Sequence, residues 1–168
     1  MKKLAVIVSK LLDNNVEIAS QVGVDLPGIT LTTQEVSGAG YMGKSDLPIT
    51  GQVEGMELKI STQGLSADQM VLARSGRHQI TLRFAQDSMS VQKGIIPEGC
   101  KIYATTVFKS MDGGSIKNAN PYESAVTHEV LRYQMIVNGV EVLLINREAY
   151  KYIVNGADLT ANVWSLVN

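Results

Sequence analysis

Apolar and polar residues alternate with a period of two along much of this chain, and no other feature constrains its fold as strongly. Such alternation is typical of β-strands that turn one face to a core and the other to water. In the two clearest segments, Met56, Leu58 and Ile60 alternate with Glu57, Lys59 and Ser61, and Ile80, Leu82 and Phe84 alternate with Gln79, Thr81 and Arg83. We therefore expect a mainly β protein with the apolar members of these segments in its core.

The run Ser124–Val137 is long for one strand and has apolar residues at both its even-numbered and its odd-numbered positions. We assign Val126, Val130 and Ile136 to one face and Leu131, Tyr133 and Met135 to the other. A strand that is apolar on both faces is either buried on both sides or covered by a neighbouring subunit. Asn138-Gly139 follows, and because both residues tolerate a positive φ, this pair predicts a tight hairpin with Val140–Ile145.

One segment has the features of a helix. Ser66 and Gln69 have the spacing of a capping box, the apolar residues Met70–Ala73 follow, and Gly76 suits the position just after the helix. A second short helix is expected over Arg147–Tyr152.

The segment Val36–Gln52 is rich in glycine, and we expect it to form a long irregular loop of the kind that is functional or ordered by a partner. Within it, Gly38–Ser45 matches the P-loop pattern G-x-x-x-x-G-K-[ST]. A P-loop needs a helix that begins at its Lys-Ser step, because the amides at that helix N-terminus bind the phosphates. Pro48 and Gly51 follow Lys44 too closely for such a helix. We therefore expect no nucleotide binding.

The charge and length of the chain limit its function. Fifteen Lys and Arg residues against sixteen Asp and Glu residues give a net charge of −1, whereas a protein that grips DNA phosphates carries a basic excess. With 168 residues, 45% of them hydrophobic, we expect a single folded domain over 1–168 rather than a disordered chain. The apolar run Leu4–Val8 is shorter than a signal peptide requires, so we expect the protein to stay in the cytoplasm or to leave it by another route.

Catalytic and metal-binding chemistry is not indicated. Cys100 is the only cysteine, which excludes an intrachain disulfide and a multi-cysteine zinc site. The two histidines, His78 and His128, are far apart in the sequence, and Cys100 fits a small core residue better than a nucleophile paired with either of them. Asp112-Gly113-Gly114 lacks the further oxygen ligands of a calcium loop. We expect a protein that is not an enzyme, without catalytic residues, metal or cofactor.

Several short segments follow one another in a familiar order. They are Asp25–Ile29 with its Leu-Pro step, the glycine-rich run Gly38–Gly43, Leu47-Pro48-Ile49, Gly55–Leu58, Tyr133–Val142 with its Asn-Gly turn, and Val154–Asp158. In order and spacing, over most of the chain, they resemble the major tail tube proteins of contractile phage tails and R-type bacteriocins. Asn146 and Trp164 depart from the Asp and Arg that are common in that family near these positions.

The resemblance implies a small antiparallel β-barrel or sandwich with one flanking helix, similar to the tube protein of type VI secretion. Six copies would form a ring whose inner sheets join across subunits, and rings would stack into the hollow inner tube of a contractile tail, a conduit for DNA or ions. The implied partners are other copies of the chain, the surrounding sheath, and baseplate and tail terminator proteins, with DNA only as non-specific passing cargo. The implied location is a virion tail or bacteriocin particle, assembled in the host cytoplasm and without a membrane anchor.

Two sets of residues are candidates for this role. The glycine-rich loop has little side-chain surface but carries apolar anchors, so we expect it to become ordered against neighbouring subunits. Its candidate interface residues are Gly38, Gly40, Tyr41, Met42, Gly43 and Leu47. The candidate lumen face is the polar face of the strands, with Glu57, Lys59, Gln79, Thr81 and Arg83.

The alternative function is that of a monomeric β-sandwich binding module for a carbohydrate or a receptor. Binding sites of that kind usually display exposed aromatic side chains. Only 5% of this chain is aromatic, and most of those residues fall in strand-like runs, which favours the tube.

Overall fold

The computed structural model describes all residues, Met1–Asn168, and contains twelve β-strands and two short α-helices. The strands in chain order are β1 (Lys2–Asp13), β2 (Val16–Glu17), β3 (Gln21–Asp25), β4 (Leu31–Val36), β5 (Ser45–Val53), β6 (Glu57–Gln63), β7 (Arg77–Ser90), β8 (Gly94–Asp112), β9 (Glu123–Val137), β10 (Val140–Asn146), β11 (Lys151–Val154) and β12 (Ala157–Asp158). The helices are α1 (Ala67–Leu72) and α2 (Ala161–Val167). Neither helix has the length or the apolar character that crossing a membrane requires.

Ten of the strands form one antiparallel sheet along the path β12-β11-β10-β9-β8-β7-β1-β2, with β6 and β3 off this path. β9 is central, because β8 pairs along one edge while β6 and β10 share the other edge, opposite Glu123–Glu129 and Arg132–Val137 respectively. β3 extends the sheet beyond β6. The mainly β, antiparallel fold with a flanking helix is confirmed, although the sheet does not close into a barrel and a second helix ends the chain.

The inner face of the sheet packs into one apolar core. Most of the residues that alternation assigned to the core are buried there, namely Met56, directly before β6, Leu58 and Ile60 on β6, and Ile80 and Leu82 on β7. Phe84 is only partly buried, in contrast to the expectation. It lies where β1 and β7 run past the core, since its partner Ser9 and every earlier residue of β1 are exposed.

A β-bulge changes which residues of β9 face the core. Consecutive residues of β8 pair with Arg132 and Val130, which leaves Leu131 as an extra residue on β9. Tyr133 therefore points inward with Val130 and is only 2% exposed. Its assignment to a second apolar face, opposite Val130, is wrong for this reason.

α1 begins after its N-cap Ser66, as predicted, but the capping-box hydrogen bond is absent. The buried Gln69 side chain instead donates a hydrogen bond to Ser124 Oγ on β9. The residue that was expected to cap the helix therefore anchors it to the sheet.

The segment 147–150 forms a turn, and the helix expected over Arg147–Tyr152 is wrong. Asn146 Oδ1 accepts hydrogen bonds from the amides of Glu148 and Ala149, both at 3.1 Å. An asparagine side chain that satisfies these amides competes with helix formation. β11 then begins at Lys151 and pairs with β10.

The sequence predicted a long irregular loop over Val36–Gln52, and this prediction is wrong for most of the segment. β4 and β5 pair as a two-stranded sheet of their own, here termed the β4–β5 hairpin, and only the turn 37–44 between them is irregular. Pro48 is tolerated within β5 because a two-stranded sheet consists only of edge strands.

Candidate assembly surfaces

The turn of the β4–β5 hairpin presents apolar side chains to solvent. Met42 has 103% and Tyr41 has 44% of its surface exposed, and Leu47, at the start of β5, is also exposed. Tight bends with positive φ at Gly38, Gly40 and Gly43 shape this turn. The predicted interface residues therefore lie together at one end of the hairpin, where Met42 is fully exposed and Tyr41 and Leu47 are each nearly half exposed.

Hydrogen bonds join the hairpin to the rest of the chain through a single hydroxyl group. Gln52 Nε2 donates to Tyr150 Oη at 3.2 Å, and Tyr150 Oη donates to the Thr50 carbonyl at 3.4 Å. Neither β4 nor β5 pairs with a strand of the main sheet. Tyr150 ends the turn between β10 and β11, so these two bonds tie the hairpin to that edge of the sheet.

Tyr150 has an unusual backbone conformation. Its φ of +52° lies in the left-handed region, which costs a non-glycine residue about 1–2 kcal/mol. The Thr160 hydroxyl lies 3.0 Å from the Tyr150 carbonyl, and the Trp164 ring meets the Tyr150 ring edge-on with centroids 5.8 Å apart. Gly51 lies against Thr160 and Tyr150, since a Cβ at this position would be 2.9 Å from Thr160 Cγ2 and 3.1 Å from Tyr150 Oη. We refer to Gly51, Gln52, Tyr150 and Thr160 as the Tyr150 joint.

Asp158 fixes Thr160 within this joint. Asp158 Oδ1 accepts a hydrogen bond from the Thr160 amide at 2.9 Å and lies 2.8 Å from the Thr160 hydroxyl. That hydroxyl has one proton, which it shares between Asp158 Oδ1 and the Tyr150 carbonyl. The amide hydrogen bond, followed by the hydroxyl, lowers the pKa of Asp158. The carboxylate therefore stays ionised as an acceptor at neutral pH.

The candidate lumen residues share the outer face of the sheet, opposite the core. The pairing register of β6, β9, β8 and β7 puts Glu57, Lys59, Gln79, Thr81 and Arg83 on this face. Four of them are exposed, but Thr81 is only 8% exposed and lies between its partners on β1 and β8. Thr81 therefore does not face water in the lone subunit, and the role of this face in a lumen stays a prediction.

A row of basic side chains crosses one end of the outer face. Lys10 on β1 pairs with Arg83 on β7, which pairs with Lys101 on β8, and all three line one open groove of about 770 Å³. Lys10 has an ion pair with Glu17 at 2.8 Å, while Arg83 and Lys101 have none. Like charges directly opposite across strands are destabilising. The near-neutral net charge gave no indication of this local excess.

Ion pairs cover the other end of the outer face. Arg147 Nη1 lies 2.9 Å from Glu129 Oε1, and Lys109 contacts Glu57. The hydrogen bond from Lys109 to Glu57 raises the pKa of the lysine. Charges of both signs therefore alternate here, in contrast to the basic row.

The first part of β1 is an open apolar edge. Leu4, Val6, Ile7 and Val8 are all exposed. β1 pairs with β7 along one edge, while β2 covers only Leu12 and Asp13 on the other. An exposed, apolar edge strand is a template for pairing with another chain.

The two histidines lie side by side in the core, although they are far apart in the sequence. The ring centroids of His78 and His128 are 4.8 Å apart, and both side chains are fully buried. His78 Nε2 lies 2.7 Å from the Arg74 carbonyl and His128 Nε2 lies 2.8 Å from the Leu72 carbonyl, so both nitrogens carry a proton. The rings thus hold the C-terminal end of α1 against the sheet.

The Nδ1 atoms of the two rings have different partners. Thr106 Oγ1 lies 2.8 Å from His128 Nδ1 and can donate to it, which leaves that ring neutral. Burial lowers the pKa of His128 and favours the same form. Asp13 Oδ2 lies 2.8 Å from His78 Nδ1, so these two groups share one proton. Because the cluster has no exposed atom to offer a substrate, its role is to connect α1 with the strands.

Two motifs from the sequence lack the geometry of a site. Ser45 begins strand β5, so no helix follows Lys44, whose Nζ pairs with Glu35 at 3.2 Å. Cys100 is buried on β8, eight residues before Phe108, which lies opposite His128. Eight strand residues span about 26 Å, so Cys100 and His128 form no nucleophile–base pair.

Comparisons with known proteins agree with this architecture. A family model described as phage tail tube protein FII matches residues 8–166. A comparison with curated proteins found no significant match.

Solved structures with a similar fold include two from an extracellular contractile injection system and one from an anti-feeding prophage baseplate. The PVC sheath/tube terminator of an extracellular contractile injection system is 12% identical with a TM-score of 0.54, over 79% of this chain and 96% of that chain. A chain of the PVC sheath-tube complex is 14% identical with a TM-score of 0.52, over 76% and 87%. A chain of the anti-feeding prophage baseplate is 15% identical with a TM-score of 0.51, over 81% and 97%.

At these identities the structural likeness concerns the fold alone. The family match, however, covers nearly the whole chain, and it confirms the resemblance seen in the short segments. The chain belongs to the phage tail tube protein FII family, and it is a structural protein rather than an enzyme.

Proposed function

We propose that this chain assembles as stacked hexameric rings into the inner tube of a contractile tail, a conduit for DNA or ions through the host envelope. The observation that carries the proposal is the family match over residues 8–166. The similar structures include a sheath-tube complex, a tube terminator and a baseplate. The corresponding partners of this chain are copies of itself, a sheath around the tube, and baseplate and terminator proteins. The particle is a virion tail or a bacteriocin, assembled in the host cytoplasm, and DNA is only its passing cargo.

The open edge of β1 supports assembly into a ring. Its apolar side chains are exposed in the lone subunit, and most of its outer edge has no strand partner. Pairing with a strand of the next subunit covers this edge and removes the aggregation hazard that it presents. The outer face of the sheet, with exposed Glu57, Lys59, Gln79 and Arg83, then faces the lumen.

The end of the β4–β5 hairpin supports stacking. Tyr41, Met42 and Leu47 are apolar and exposed, and they pack against adjacent subunits within the ring or in the next ring. Their loss leaves the core intact, because none of them belongs to it.

The test replaces Tyr41 and Met42 together by Ser. The matched control replaces Leu166 and Val167 on α2 by Ser, since these two apolar residues are also exposed but lie outside the hairpin. Sedimentation velocity and negative-stain microscopy at equal concentrations should give tubes for the wild type and the control, and folded monomers for the hairpin variant. Normal tubes from the hairpin variant would indicate that other surfaces carry assembly, such as the edges of the segment 124–146. A wild type that forms neither rings nor tubes would contradict the proposed function.

A further inference from the structure

The β4–β5 hairpin has few polar contacts that could fix its direction relative to the subunit, and its apolar contact with the core is made by Val53, at the very end of β5. No ladder of backbone hydrogen bonds connects it to the main sheet. Its hydrogen bonds to other parts of the chain are the two that meet at Tyr150 Oη. Its ion pair, Glu35 with Lys44, lies within the hairpin itself.

The residue that supplies this hydroxyl is itself rigidly held. A positive φ at Tyr150 persists only if surrounding contacts impose it. The Thr160 hydroxyl, which is fixed by Asp158, bonds the Tyr150 carbonyl, and the Trp164 ring packs against the side chain. The end of the chain therefore presents the Tyr150 hydroxyl at a defined place.

The hairpin is shaped to receive that hydroxyl. Gly51 has a φ of +70° and interrupts the side chains of β5 where Tyr150 approaches. The flanking residues Thr50 and Gln52 supply the acceptor and the donor that satisfy the hydroxyl in both of its roles. Neither Tyr150 nor Gln52 belongs to the core cluster, so losing this contact removes no core side chain.

We infer that Tyr150 is a positioning residue, whose hydroxyl sets the direction in which the hairpin leaves the subunit. The inference rests on the proposed function, because the direction matters for presenting Tyr41 and Met42 to neighbouring subunits. A joint that orients the hairpin before assembly reduces the ordering cost at the moment of contact.

The test measures the direction of the hairpin in isolated subunits, before any assembly. Spin labels at Gln34→Cys, an exposed residue of β4, and Ser110→Cys, an exposed residue of β8, are placed in a Cys100→Ala background. Their distance distribution is measured by double electron–electron resonance at a concentration where the chain is monomeric. Tyr150→Phe removes only the hydroxyl. Tyr152→Phe is the matched control, because the Tyr152 side chain has no hydrogen bond in the structure.

We expect one narrow distance distribution for the unmodified background and for Tyr152→Phe. Tyr150→Phe should broaden or shift the distance distribution, because fewer hairpins keep the direction seen in the structure. The ratio of hairpins in that direction to hairpins in other directions should fall about fivefold for each net hydrogen bond lost. Gln52→Leu, which removes one of the two bonds from the hairpin side, should give a smaller change of the same kind. The midpoint temperatures of thermal unfolding should agree within a few degrees for all variants.

Two results would overturn the inference. One is a distribution for Tyr150→Phe that superimposes on that of the background, and the other is equal broadening in both tyrosine variants, which would indicate general loosening. The measurement is independent of the proposed function, since it uses monomers. If the wild type fails to form tubes, the proposed function fails while the distance distributions still decide the role of Tyr150.

Discussion

Replacing Gly51 by Ala tests how tightly the Tyr150 joint is packed. The left-handed backbone at φ +70° costs an alanine about 1–2 kcal/mol. The added Cβ would lie 2.9 Å from Thr160 Cγ2, and Thr160 is 1% exposed and held by Asp158, so it cannot move aside cheaply. Overpacking of this kind adds about 1–3 kcal/mol. We expect Gly51→Ala to lower the free energy of unfolding by about 2–5 kcal/mol in total.

Gly64 supplies the matched control. Its φ of +79° is close to that of Gly51, but a Cβ there would have no neighbour within 4 Å. Gly64→Ala should therefore cost only the conformational part, about 1–2 kcal/mol. Both variants lose the same backbone entropy in the unfolded state, so that contribution cancels in the comparison. Urea unfolding of the two variants measures the difference, and equal losses of stability would refute the close approach at the joint.

Two further predictions concern the core. Leu58→Ala should lower the free energy of unfolding by about 2–5 kcal/mol because Leu58 is buried, whereas Lys59→Ala, on the outer face, should change it by less than about 0.5 kcal/mol in the same urea experiment. The second prediction concerns pH. Burial lowers the pKa of His128, so this side chain binds a proton more readily in the unfolded chain than in the folded one. The free energy of unfolding should therefore fall as the pH drops below about 6.5, by at most about 1.4 kcal/mol per pH unit from this group. His128→Gln should show a smaller loss between pH 7 and pH 5, and equal losses in the variant and the wild type would contradict the assignment.

The parts of the fold that depend on local patterns could be predicted from the sequence. The alternation around Leu58 and Leu82 identifies core strands because each strand turns one face inward. Ser66 marks the start of α1, and Asn138-Gly139 marks the turn between β9 and β10. The order of the short segments indicated the family.

The parts that depend on long-range contacts could not be predicted. Leu131 becomes an extra residue only because β8 pairs on both sides of it, and this reverses the assignment of Tyr133. His78 and His128 meet because both reach the end of α1 from strands that are not neighbours in the sheet.

The candidate site was predicted in part. Glycine and apolar residues in the segment 38–47 predicted an interface, and this stays a prediction, but they gave no indication that two ordered strands flank the turn. The contacts of Tyr150 were also missed, because Arg147–Tyr152 was expected to form a helix. The bonds that define the joint come from Thr50, Gln52 and Thr160, which only the folded chain brings together.

Electron microscopy of the concentrated, purified wild-type chain shows directly whether it assembles into a tube of stacked hexameric rings. We expect hollow tubes, with side views that show a regular stack of rings and end views that average to six subunits around an open channel. A solution that contains only monomers, or irregular aggregates without rings, at every concentration tested would contradict this expectation.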